Sequence, residues 1–313
     1  MLDISLYYKD LTHFFLKKYI KMLTLTYMKR KENMKAYLFL LPSLALAATF
    51  LFYPLVKAFA SSFLTISQSG KILGFAGFKN YAKLFSDSGF RNAALNTIKF
   101  IIFFVPLNTA LTLLAATLTR KKRKGTAIAE FIFASPIVIS LSAYALIFKE
   151  MFRGRISIIN RIFSSEINWL SDKVPAMFVL VFLGVFLDFG LDYLLLTSAF
   201  RSTDKNIIDA AKIDGADDRK IYFSIELPLI KRMLSATIFL ALKDAIMISS
   251  PVIILTEGGP FRSTETIMFY YYIEAFKSGN RAVQNTLSVL MTLIFILGMA
   301  IYSRRRSGNE KRT

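Results

Sequence analysis

Four stretches of this chain are long and apolar enough to cross a bilayer, and nothing else in it constrains the fold as strongly. A helix needs about 20 apolar residues to span the hydrocarbon core. Residues 36–56, 100–119, 131–148 and 282–303 supply 21, 20, 18 and 22 residues, none of them charged. Two more stretches are apolar but interrupted: 174–200 carries Asp188 and Asp192, and 233–256 carries Lys243 and Asp244. Counting both predicts an all-α polytopic membrane protein with six transmembrane helices. Backbone polar groups in lipid must be satisfied within the segment, which leaves helices as the elements for runs of this length. Pro42, Pro54, Pro106, Pro136 and Pro251 fall inside these runs. They read as kinks, because a membrane bundle can satisfy the carbonyls a proline frees.

Composition agrees. Apolar residues make up 54% of the 313 and charged residues 19%, too little charge for the surface of a soluble protein. The formal net charge is +19. Placed on the predicted topology, that charge is asymmetric. The stretches 1–35, 120–124, 201–232 and 304–313 carry 25 lysines and arginines, against 13 in 57–91, 149–173 and 262–281. The basic excess marks the cytoplasmic side, so both termini are expected inside. It also explains the run Arg120-Lys121-Lys122-Arg123-Lys124 as a topological signal rather than a nucleic-acid site. No nucleic acid is expected as a partner; membrane lipid is.

The chain has no cysteine and one histidine, His13. Thiolate and histidine metal sites are therefore excluded, and no catalytic constellation is visible. No cofactor or metal is expected. There is no G-x-x-x-x-G-K-[ST] phosphate loop, so any ATP used must be hydrolysed elsewhere. The basic segment 1–35 admits two readings. Leu11, Phe15, Tyr19 and Met22 share one helical face, as in a helix lying on a membrane surface. Alternatively translation starts at Met28 or Met34. The remainder divides into a transmembrane domain, 36–303, and a basic tail, 304–313.

The most informative segment is the cytoplasmic loop 202–228, between spans four and five. Ser202, Thr203 and Asp204 are good helix N-caps. A short helix is predicted from Lys205 to Asp214, ended by Gly215 in the left-handed conformation. A second helix should begin near Asp217 and stop before Pro228. Ala210 and Ala211 leave almost no side chain on one face of the first helix, so another protein could approach closely. The competing reading is a loop that packs only on its own bundle.

Here the residues resemble a known family. Asp209-Ala210-Ala211, then Gly215, then Ile225-x-Leu227-Pro228 is similar to the EAA loop of the permeases of ATP-driven (ABC) importers. The stretch Leu255-Thr256-Glu257-Gly258-Gly259-Pro260, followed by Ser263-Thr264-Glu265-Thr266, resembles the carbohydrate-uptake branch. Within that branch it is similar to the half that includes the larger maltose permease subunit. Phe75-x-Gly77-Phe78-x-Asn80-Tyr81 with Leu84-Phe85 and Asn96-Thr97 is similar to the same half. Asp209 stands where that family usually has Glu, and Asp204 where it usually has Pro. Ser249-Ser250-Pro251 and Asn280-Arg281 also depart from its usual residues.

The resemblance implies a permease subunit importing a sugar or sugar-like solute across a bacterial cytoplasmic membrane, and not an enzyme. It implies three partners: an ABC ATPase dimer, a second permease subunit and an extracytoplasmic solute-binding protein. Asp209, Ala210, Ala211, Gly215, Ile225, Leu227 and Pro228 would form the ATPase-coupling element, a coupling helix between spans four and five.

Ionisable residues inside spans usually face the bundle interior or a water-filled cavity. Asp188 and Asp192 are one helical turn apart and share a face. Lys243 is expected to pair with one of them across helices. These residues and Asp244 read equally as solute-path groups or as a structural ion pair. Asn96, Asn108, Ser249 and Ser250 are further path candidates, with interhelical hydrogen bonding as the other reading. Pro251 is expected to open span five locally and to free carbonyls. An ion-driven transporter and a membrane-embedded enzyme are the rival classes. The first would draw on the intramembrane charges, and the second has no convergent catalytic set.

Overall fold

A computed structural model of the protein describes residues 39–67 and 69–310, the last six by their backbone alone. The 1–35 segment, with its surface-helix reading and His13, lies outside the described residues. So do the last three residues of the basic tail. The described chain forms two compact units, divided after Ala60.

The first unit contains most of helix α1 (Phe39–Ser62), which matches the first predicted span. A π turn at Ala48–Phe52 interrupts its α-helical hydrogen bonds just before Pro54. A proline ring clashes with the carbonyl four residues back and offers no N–H. In the π turn the bond runs instead from Tyr53 to the Ala48 carbonyl, five residues back. The widened turn accommodates the proline without ending the helix.

The second unit opens with an antiparallel hairpin, β1 (Leu64–Ile66) and β2 (Ile72–Phe75). Among the described residues the fold is predominantly helical, with one short two-stranded ribbon beyond the all-α expectation. The motif around Phe78 explains why the ribbon forms. Asn80 Nδ2 donates to the carbonyls of Ser62 (2.8 Å) and Leu64 (3.0 Å), and Tyr81 shares a 2.8 Å hydrogen bond with Ser62. Phe63, Phe78 and Tyr81 pack ring against ring. These contacts fix the chain entering and leaving the hairpin.

Helices α2 (Lys79–Ser86) and α3 (Ser88–Thr119) follow, α3 capped by the Asp87 carboxylate. The third predicted span is two helices, not one. It comprises α4 (Thr126–Ala134) with a 3₁₀ turn at Ser135–Val138, then α5 (Leu141–Met151), bent by 100°. Pro136 starts the 3₁₀ turn and Ser140 caps α5 by accepting from the Ala143 N–H, so the bend has a sequence cause. Short α6 (Ile158–Phe163) leads to α7 (Lys173–Arg201). Next come α8 (Lys205–Ile213), α9 (Asp218–Ile221) and, after a π turn at Tyr222–Glu226, α10 (Leu227–Met247). Short α11 (Ser250–Leu255), α12 (Ile267–Tyr272) and α13 (Arg281–Glu310) complete the fold.

Among the described residues, four helices are long and apolar enough to cross a membrane: α1, α3, α7 and α13. The bent pair α4–α5 makes a fifth. The fifth predicted span, 233–256, is not one helix. It breaks at Ile248 and Ser249, where Ile248 is extended (φ −62°, ψ 117°).

The core lies where α3, α5, α7, α10 and α11 meet. Phe100, Phe104, Phe148, Val179, Leu180, Leu183, Ala241, Ala245 and Val252 are buried together there. Gly184 and Gly190 let neighbours close on α7; a Cβ on Gly190 would sit 3.1 Å from the Ile137 backbone nitrogen. Small residues do this work in membrane bundles, where lipid supplies no hydrophobic drive between helices. Phe50 of α1 is exposed, and so are Ile102, Phe103 and Leu118 of α3 and Leu297 of α13, as lipid or a partner subunit requires.

Candidate functional sites: the 202–228 loop, a broken span and the 256–266 turn

The loop 202–228 folds as a helix, a turn and a second helix. Asp204 caps α8 by accepting from the Asn206 N–H at 2.9 Å. At the other end the Ala216 N–H reaches back to the Ala211 carbonyl (2.9 Å) and the Gly215 N–H to the Lys212 carbonyl (3.0 Å). That closure needs Gly215 at φ +81°, a conformation costly for a residue with a Cβ. Asp217 caps the next helix through the Lys220 N–H (2.7 Å). Asp209, Ala210 and Gly215 are exposed and Ala211 is half-buried. Ile207 and Ile213 on α8 are exposed too, as is Phe223 in the π turn that follows α9.

The second helix does not stop before Pro228. It runs from Asp218 through the π turn into α10 without a break, which corrects that expectation. The Leu227 N–H bonds to the Tyr222 carbonyl five residues back, so Pro228 again sits directly after a widened turn that can hold it. Ile225 and Leu227 are half-buried and Pro228 exposed.

Ionic contacts hold this loop to the bundle. Arg120 Nε lies 3.0 Å from Glu226 Oε2, with both side chains largely buried. The two face each other as charges, without the alignment of a hydrogen bond. The Arg120 guanidinium also stands 4.8 Å from the Tyr222 ring centroid. Lys121 Nζ meets Asp218 Oδ1 at 2.6 Å, and that ammonium holds the Asp218 carboxyl below the usual carboxylate range. Arg201 pairs with Glu130 and donates to the Thr119 carbonyl at 3.2 Å.

The intramembrane polar residues separate into three places. Asp188, Asp244, Ser249 and Ser250 line one pocket of about 160 Å³, with Phe100, Phe104, Gly184 and Pro251. Asn108 and Asp192 lie elsewhere on the α3–α7 contact: Asn108 Nδ2 donates to Asp192 Oδ2 at 2.6 Å, and both are buried. Lys243 bonds its own neighbour Asp244 at 2.6 Å rather than Asp188 or Asp192, which corrects the predicted cross-helix pair. The neighbouring carboxylate needs no helix–helix register to be reached. Asn96 lies in neither place; its amide donates to the carbonyls of Arg262 (2.8 Å) and Glu265 (3.2 Å).

That contact belongs to a turn whose motif carries no structural role in the sequence alone. Residues 256–266 fold into a compact loop under α3. Thr264 Oγ1 donates to the Gly259 carbonyl (2.7 Å), and Ile267 N–H donates to Thr97 Oγ1 (2.9 Å). Thr266 Oγ1 donates to the Ile248 carbonyl at 2.8 Å. This is an acceptor freed where α10 breaks, so the loop and the break are one construction. Gly258 has φ +81°, and a Cβ there would lie 2.6 Å from Phe269 Cε1. We expect Gly258→Ala to cost roughly 2 kcal/mol, strain and clash together. Thermal unfolding in detergent measures it; a midpoint equal to wild type would show that the turn relaxes freely.

Long apolar helices, a bundle core with buried polar pairs and an exposed capped helix define a polytopic membrane protein. Residues 125–307 match the family described as the binding-protein-dependent transport system inner membrane component, and the chain belongs to that family. Its members are transport permeases rather than enzymes. Among similar proteins is the lactose transport system permease protein LacF of Rhizobium radiobacter, 29% identical over 259 residues, covering 80% of this chain and 86% of that one. The sn-glycerol-3-phosphate permease protein UgpA of Escherichia coli O6:K15:H31 is 29% identical over 279 residues, covering 88% and 95%. The multiple sugar-binding transport system permease protein MsmF of Streptococcus mutans is 28% identical over 263 residues, covering 82% and 89%. A solved chain of a bacterial ABC transporter that imports the acidic polysaccharide alginate shares the fold. Its TM-score is 0.75 at 17% identity, covering 88% of this chain and 96% of that one. The family resemblance drawn from the loop motifs is thus borne out.

Proposed function

We propose that this chain is one of two permease halves of an ATP-driven importer for a sugar or sugar-like solute. The observation that carries the reading is α8: a capped helix with exposed Ala210 and a tight Gly215 turn, joined to a helix that continues unbroken into the bundle. An ATPase dimer would bind at α8, a second permease would complete the pathway, and an extracytoplasmic binding protein would deliver the solute. ATP is then bound and hydrolysed by the partner. The relatives' names supply the solute class.

On this reading the chain crosses the cytoplasmic membrane six times. The crossings are α1, α3, the bent α4–α5, α7, the broken α10–α11 and α13, with both termini inside. The transmembrane domain covers 36–303, between basic segments 1–35 and 304–313. Closure of the ATPase displaces α8. The 218–247 helix carries the motion to its break at Ile248 and Ser249, which borders the pocket lined by Asp188, Asp244, Ser249 and Ser250. The push therefore arrives where a solute would be held, and alternating access follows from re-tilting the helix about that break.

Affinity purification from the native membrane in mild detergent tests the assembly. An ATPase and a second permease should accompany the wild-type chain; recovery of the chain alone, with uptake that survives ATP depletion, would sink the proposal. The pocket is tested separately. Ser249→Ala with Ser250→Ala removes two hydroxyls that can bond solute, and uptake affinity should weaken by roughly tenfold. Unchanged affinity and selectivity across a panel of labelled sugars would remove these serines from the path.

A further inference from the structure

Motion of α8 reaches α10 through the chain itself, but α3 has no covalent route to it. Yet α3 reaches from the 256–267 turn to the residues that meet the π turn. Near its start Asn96 and Thr97 hold the 256–267 turn. Just past its end Arg120 meets Glu226, the last residue of the π turn. The Arg120–Glu226 contact is unlike the other ion pairs of the loop. Its side chains are 14% and 6% exposed, whereas those of Lys121 and Asp218 are 37% and 65% exposed. A solvated pair slides easily, whereas a buried pair resists separation because each charge would be left unpaired. Around it Tyr222 stacks beneath the guanidinium and shares a 3.1 Å hydrogen bond with Thr117 of α3. Ala115, Ala116 and Ile230 close the same contact with apolar packing.

We propose that Arg120 and Glu226 are positioning residues that lock α3 to the 218–247 helix, so that a push on α8 moves both helices as one body. The π turn serves this arrangement: it places Glu226 and Tyr222 on the side facing Arg120 while passing the chain into Pro228. Through α3 the push then reaches the 256–267 turn on the far side, as well as the break at Ile248. The inference rests on α8 being the ATPase contact proposed above.

This chain has no cysteine, so two introduced thiols are the only ones it brings to the complex, which is assembled with cysteine-free versions of its partners. Leu114→Cys on α3 and Leu229→Cys on α10 are both exposed positions near the contact. Spin labels there are read in the purified complex with its ATPase, nucleotide-free and after trapping with ATP and orthovanadate. The locked pair predicts one sharp inter-label distance, the same in both states. In Glu226→Gln the complex should assemble and hydrolyse ATP, but the trapped state should show a shifted or broadened distance. Orthovanadate trapping should then favour the moved state by roughly tenfold less. Exchanging the charges, Arg120→Glu with Glu226→Arg, should restore the single distance. A distance that changes between states in the wild type overturns the lock, as does Glu226→Gln behaving like wild type. Loss of the ATPase from Glu226→Gln would also overturn it, by showing a part of the docking surface instead. No ATPase on the wild-type complex overturns the underlying reading along with this one.

Discussion

Gly215→Asp should abolish ATP-driven uptake while leaving the protein in the membrane at wild-type amounts. Backbone strain alone cannot do this. A residue with a Cβ at φ +81° costs about 1 kcal/mol, and aspartate tolerates the left-handed region better than most. The position is open, with nothing within 4 Å of where a Cβ would sit, so the bundle itself is not disturbed. What changes is the surface presented by α8. A carboxylate beside Ala210 and Ala211 must be desolvated when a partner closes on that face, and truncated or unmatched charges at interfaces cost roughly 2–5 kcal/mol. That weakens docking by roughly thirtyfold to a few thousandfold. Ala211→Trp should act alike for a steric reason. Uptake measured beside the amount of inserted protein decides it: uptake within twofold of wild type in either variant would mean that α8 is not the contact.

Much of this architecture is written in residue patterns, and the gaps have physical causes. The apolar runs located the long helices, because exclusion of water is a property of composition over 20 residues. They misplaced the ends. The third helix begins at Ser88, twelve residues before its apolar run, since Asn92 and Asn96 face the carbonyl of Arg262 rather than lipid. The Asp204 cap, the helix start near Asp217 and the Gly215 turn were readable because each acts on backbone within five residues. Pro228 misled, since the π turn ahead of it has no local signature and is chosen by contacts 100 residues away. Lys243 misled for a related reason: a helix wheel shows which face a charge occupies but not that its sequence neighbour will capture it. The hairpin was invisible because its strands are three and four residues long and largely unburied, so they carry no alternation to find. Asn108 and Asp192 were recognisable as polar groups in lipid, but their pairing across α3 and α7 needed the packed structure.

That pair supports the second large effect. Asn108→Val should destabilise the folded protein by about 3 kcal/mol or more, lowering its unfolding midpoint in detergent by several degrees. The reason is asymmetric. Asp192 is 3% exposed, and Asn108 Nδ2 is the donor the structure gives it. Removing the donor leaves a buried carboxylate without the amide that satisfies it, which is the costly half of a broken buried pair. Removing both partners is far cheaper. The double change Asn108→Val with Asp192→Val deletes the orphan, and it also deletes the Asn108 Oδ1 acceptor, which has no hydrogen-bond partner among the described residues. Its stability should return to within about 1 kcal/mol of wild type. The double variant then separates two roles that the single one confounds. If stability and uptake both return, the pair fixes helix register and does nothing to the solute. If stability returns and uptake does not, the two side chains act on the transported solute or on the helix motion that moves it. A single variant as stable as wild type would mean that the Asp192 carboxylate finds another partner, and that this pair does not hold α3 to α7.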